Sequence, residues 1–88
     1  MEAKQIVGWN LRRIRVERGL SIEELAGRAE IDASSVARME RGTINSSIGA
    51  VERLSRALDV ALVEFFVAPP RGAKLTKGLR AGRRSSKD

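Results

Sequence analysis

The side chains best suited to surface chemistry lie close together: hydroxyls at Ser34 and Ser35 and a guanidinium at Arg38, on a segment whose apolar Val36 and Met39 are spaced for a helix. A guanidinium offers a fixed fork of N–H donors, and a hydroxyl donates or accepts single bonds. That chemistry recognises acceptors and breaks no bonds. Cysteine and histidine are both absent, which removes thiolate metal sites, the commonest metal ligand and the usual general base. No nucleophile–base pair or phosphate-cradling glycine loop occurs either. The expectation is a binding protein without cofactor or metal, and not an enzyme.

Such a surface needs a frame. A first helix is predicted from Glu2 to Arg18, with Ile6, Val7, Leu11 and Ile14 at helical spacing and Gly19 as its stop. Ser21 and Glu24 make a capping-box pattern, and Leu20 and Leu25 suit a hydrophobic staple across it. A second helix then spans Ile22–Ala29. Asp32 is expected to cap a third, which starts at Ala33 and closes at Gly42 as a left-handed cap. Ala26 is small where these two helices cross, and Ile31 plugs the turn between them. Two short helices joined in this way form a helix-turn-helix, a shape that fits the major groove of DNA.

Thr43–Ser46 reads as a loop. Ser47 caps a fourth helix with the stripe Ile48, Val51, Leu54, Ala57 and Leu58, and a short fifth helix covers Ala61–Val67 before Pro69 and Pro70. The fold class is thus all-α, with five helices. A chain of 88 residues has room for one small core, placed here in residues 1–68. Residues 1–68 carry ten Lys/Arg and ten Asp/Glu, so the whole net charge of +6 lies in residues 69–88, read as a disordered, flexible basic tail. No apolar run reaches membrane length and Met1–Gln5 lacks a signal-peptide core, so a cytoplasmic protein is expected.

Leu20-Ser21, Glu23–Ala26, Ile31, Val36, Met39–Gly42, Asn45–Ile48 and Ala57–Phe66 together resemble the lambda-repressor/Cro-type helix-turn-helix family over about residues 6–67. Small members of that family include phage repressors, controller proteins of restriction–modification systems and antitoxin-type autoregulators. The resemblance implies a structural ion pair between Arg15 and Glu40 that fixes helix 3 against helix 1. It implies that Ala33, Ser34 and Arg38 face base edges, with Arg38 able to grip guanine O6 and N7 and Ala33 able to touch a thymine methyl. Phosphate contacts are assigned to Ser35, Arg41, Thr43, Asn45, Ser46 and Arg53. Two departures stand out: isoleucine at 22 where the family commonly has glutamine, and serine at 46 where it often has proline.

Trp9 is expected to pack, partly buried, and Phe65 to enter the core. Val63, Phe66 and Val67 exceed what one face of a short helix can bury, which points either to a homodimer contact or to packing under helix 1. The function implied is a regulator that binds double-stranded DNA as a homodimer on a short palindromic operator, with autoregulation suggested by the resemblance. The alternative is a protein-binding antitoxin or antiactivator module on the same fold, favoured by the neutral charge of residues 1–68. The tail adds salt-sensitive attraction to phosphate, acts as a groove-entering arm, or only solubilises the chain.

Overall fold

Local rules at the helix ends set the path of the chain. The computed structural model describes residues 1–70 and 72. Its elements are α1 (Ala3–Glu17), α2 (Ile22–Ala29), α3 (Ala33–Glu40), α4 (Ile48–Leu58) and a 3-10 helix at Leu62–Phe66. No strand occurs among the described residues. The predicted basic tail lies almost wholly outside them.

The α1 helix begins where the Glu2 amide donates to Gln5 Oε1 at 2.9 Å, and it stops at Gly19, whose φ of 71° is left-handed. At α2 the capping box is complete. The Glu24 amide donates to Ser21 Oγ at 3.0 Å, and the Ser21 amide donates to Glu24 Oε1 at 2.8 Å. Gly42 closes α3 with φ 72°, and the Thr43 amide reaches back to the Arg38 carbonyl. Ser47 caps α4, its hydroxyl accepting from the Ala50 amide at 3.0 Å.

The core is one cluster in which every element takes part. Phe65, Leu11, Leu25, Leu54, Leu58 and Val36 are its largest fully buried apolar side chains. Each such side chain contributes about 1.5–3 kcal/mol relative to exposure, so the helices are held by packing rather than by intrinsic propensity.

Four expectations need correction. The fifth helix is a 3-10 helix of five residues, two shorter than Ala61–Val67. Asp59 breaks the chain just before it in a left-handed conformation, and the Glu64 amide bonds to the Ala61 carbonyl, three residues back. Too few residues remain before Pro69 for an i→i−4 ladder to develop. Ile48 does not join the buried stripe of α4: it is 66% exposed, because the first residue of that helix sits at the rim of the core and burial begins at Val51. Asp32 occupies the N-cap position of α3, but its side chain makes no capping bond. The α1 boundaries contract to Ala3–Glu17.

Candidate nucleic-acid interface

The turn between α2 and α3 is tight. Glu30 takes a left-handed conformation (φ 59°) and the Ile31 amide returns to the Ala26 carbonyl at 3.0 Å. Isoleucine at 31 and at 22 pack, half-buried, against the core. The α3 helix then turns Val36, Met39 and Glu40 inward and leaves Ser34, Arg38 and Arg41 exposed. These three stand at i, i+4 and i+7, so they form one outward stripe along the helix. Among the described residues, neither Arg38 nor Arg41 has a carboxylate within salt-bridge distance. Their charges are therefore available to an external acceptor.

The frame behind that stripe is anchored at its far end. Arg15 of α1 donates from Nε to Glu40 Oε2 at 2.6 Å and from Nη2 to Glu40 Oε1 at 3.0 Å. Its third nitrogen, Nη1, donates to the Leu20 carbonyl at 2.8 Å, tying the same guanidinium to the turn before α2. Glu40 is 2% exposed, so this bidentate pair is shielded from solvent. Arg12 Nε lies 3.8 Å from the same carboxylate. The backbones of α1 and α3 meet beside the pair, at Gly8. A Cβ there would overlap the Met39 carbonyl oxygen and stand 2.9 Å from that of Glu40.

The other predicted contact residues divide into three groups. Ala33 and Ser35 are half-buried, and Ala33 packs partly on the core, so both sit on the flank of the outward stripe. Thr43 and Asn45 are exposed in the loop after α3, with Ser46 half-buried beside them. The Thr43 hydroxyl donates to the Arg38 carbonyl at 3.1 Å, which closes the helix end. Arg53, on α4, reaches the opposite end and meets the turn before α3. It donates to the Glu30 carbonyl at 3.0 Å and pairs with the Glu30 carboxylate at 3.7 Å. The proposed phosphate set thus brackets α3 and does not form one patch.

Val63, Phe66 and Val67 are 63, 44 and 48% exposed, so none of them belongs to the core, and Phe66 lines a cleft with Ala3, Lys4 and Val7 of α1. Phe65 is fully buried. Trp9 is half-buried, with the Arg13 guanidinium 5.5 Å from its ring centre. Gly8 and Asn10 are structural residues that sequence reasoning missed. No helix among the described residues is long and apolar enough to cross a membrane.

A short helix, a tight turn and a second helix with an exposed polar stripe, locked from behind by α1, define a helix-turn-helix protein. The chain matches the model of the helix-turn-helix domain family over residues 6–65 and belongs to that family. It is 31% identical over 74 residues to a hypothetical transcription factor of Neisseria meningitidis, a match that covers 84% of this chain and 70% of that protein. The crystal structure of the Neisseria hypothetical transcription factor NHTF superposes with a TM-score of 0.74 at 31% identity, over 77% of this chain and 78% of that one. An uncharacterized HTH-type transcriptional regulator of Sinorhizobium fredii, y4dJ, is 34% identical over 65 residues, covering 74% of this chain and 84% of its own. The restriction-modification controller protein C.AhdI of Aeromonas hydrophila is 38% identical with a TM-score of 0.70, over 72% of this chain and 96% of that one.

Proposed function

We propose that this protein is a DNA-binding transcriptional regulator, acting in the cytoplasm as a homodimer on a short palindromic operator. The observation that carries this reading is the exposed Ser34–Arg38–Arg41 stripe, without a carboxylate partner for either arginine among the described residues, on a helix whose far end is fixed by the Arg15–Glu40 pair. Its likeness to transcription factors and a restriction-modification controller protein supports the DNA-binding regulator part of this reading. Ser34 and Arg38 read base edges, with Ala33 contributing from the flank. Arg41, Thr43, Asn45 and Ser46 at one end, and Ser35 and Arg53 at the other, hold phosphates. Val63, Phe66 and Val67 meet their copies across a two-fold axis. Two copies of α3 then sit about 34 Å apart, one duplex turn. Residues 1–68 carry no net charge, so specific affinity comes from placed contacts and nonspecific affinity from the basic residues after 70. Restriction of its own synthesis is the regulation we assign by likeness to the controller proteins.

Selection of bound duplexes from a random library at moderate salt, followed by footprinting, tests the proposal. A two-fold consensus supports it. Retention of duplexes with no enrichment of any sequence contradicts it.

A further inference from the structure

Asn10 is fully buried in α1, and neither the helix-turn-helix frame nor the outward stripe of α3 uses it. Its Nδ2, with two hydrogens, lies within hydrogen-bond distance of three carbonyl oxygens, so one hydrogen is shared: Val67 at 2.8 Å, Ile6 at 3.0 Å and Phe65 at 3.1 Å. Its Oδ1 accepts from Arg13 Nη2 at 3.0 Å. Arg13 is itself held by Glu17, at 3.4 Å, and by the face of Trp9.

The acceptors at Phe65 and Val67 lie at the end of the 3-10 helix, where carbonyls have no partner within the helix. That helix is short and, apart from Phe65, exposed, so it has little of its own to hold its shape. Two attachments fix it: the Phe65 ring in the core and the Asn10 amide on the carbonyls. With the ring of 65 and the carbonyls of 65 and 67 turned inward, the side chains of Val63, Phe66 and Val67 are left on the outside. Only a primary amide of this length can accept from Arg13 while donating to these oxygens. An aspartate would set a carboxylate against two carbonyls, and a leucine would leave them without a donor.

We propose that Asn10 is the positioning residue of the self-association face. It fixes the backbone at 65–67 and thereby the mutual placement of Val63, Phe66 and Val67, on which a second copy of the chain docks. This rests on the dimer reading above. Arg13 supports the function by orienting the amide.

Sedimentation equilibrium across a dilution series, paired with amide hydrogen exchange, tests it on the full chain. Asn10→Ala is expected to weaken self-association at least tenfold and to speed exchange at Phe66–Ala68, with α3 protection unchanged. Arg13→Ala, at a partly exposed position, is expected to weaken association several-fold, and it decides the matter if Asn10→Ala does not fold. Association within twofold of wild type in the folded variants overturns the inference and leaves the dimer reading intact. So does loss of α3 protection in step with residues 66–68. A wild-type chain that stays monomeric at every concentration removes the dimer reading itself.

Discussion

Arg15 and Glu40 join the first helix to the end of the third through paired hydrogen bonds of 2.6 and 3.0 Å around a carboxylate that solvent scarcely reaches. The stability of such a pair shows mainly when it is broken. Removing one partner of a buried pair costs about 3–5 kcal/mol, since the other is left charged and enclosed. Glu40→Ala is expected within that range, and Arg15→Ala at its lower end because Arg12 stays 3.8 Å from the carboxylate. Urea unfolding midpoints measure both.

Gly8 and Gly27 predict opposite outcomes for one substitution. Alanine normally stabilises a helix relative to glycine by about 0.5–1 kcal/mol. Gly27 lies in α2 with nothing within 4 Å of an added Cβ, so Gly27→Ala should show that gain. At Gly8 the added atom meets the Met39 and Glu40 carbonyls, which are backbone and cannot swing aside. The helices must part, and Gly8→Ala should lose about 1–3 kcal/mol or more, as overpacked cores do. Thermal melts of the two variants, side by side, check the signs.

The ends of the helices are legible in the sequence wherever one short-range rule decides them. Ser21 with Glu24, Ser47 and Gly42 are such cases, and the structure places caps at all three. The inward residues of α2 and α3 are legible because their apolar spacing has a single helical interpretation. Gly8 is not legible, since glycine inside a helix looks like a weakness until the α3 backbone is seen against it. Asn10 is equally silent: two of its three acceptors lie 55 and 57 residues away. Ile48 fits the α4 stripe by spacing alone, and only the packed helices show that the core ends one turn short of it. The α2–α3 turn hides a left-handed Glu30, where sequence rules look for glycine or asparagine.

Acid sensitivity should arise in part at Glu24. The Ser21 backbone amide, bonded to its carboxylate, holds this carboxyl below its ordinary 4.5; desolvation opposes the shift, and the Ser21 hydroxyl and Arg28 add smaller downward contributions. A carboxyl depressed by folding stabilises the protein above its unfolded pKa, and that contribution is lost as pH falls through the folded value. A carboxyl-carbon NMR titration should place the Glu24 midpoint below 4.5. Glu24→Gln should flatten this part of the acid-unfolding curve.

Removing residues 71–88 takes the net charge from +6 to zero. Binding to random duplex should weaken and its salt dependence should become shallower, by about 0.9 in log–log slope for each phosphate no longer neutralised. The preferred sequence should not change, because phosphate contacts carry no base information. Titrations of one specific and one random duplex at several salt concentrations separate the two effects.

Base reading by the outward stripe of α3 is proposed to depend on Arg38. The most direct measurement is the ratio of specific to nonspecific affinity for wild type and Arg38→Ala at one salt concentration, with Arg41→Ala as the comparison. Arg38→Ala is expected to lower the ratio by about 1–3 kcal/mol at each half-site, as when a guanine is deprived of its bidentate partner. Arg41→Ala should weaken both affinities alike. An Arg38→Ala protein that keeps the wild-type ratio would contradict base reading through Arg38.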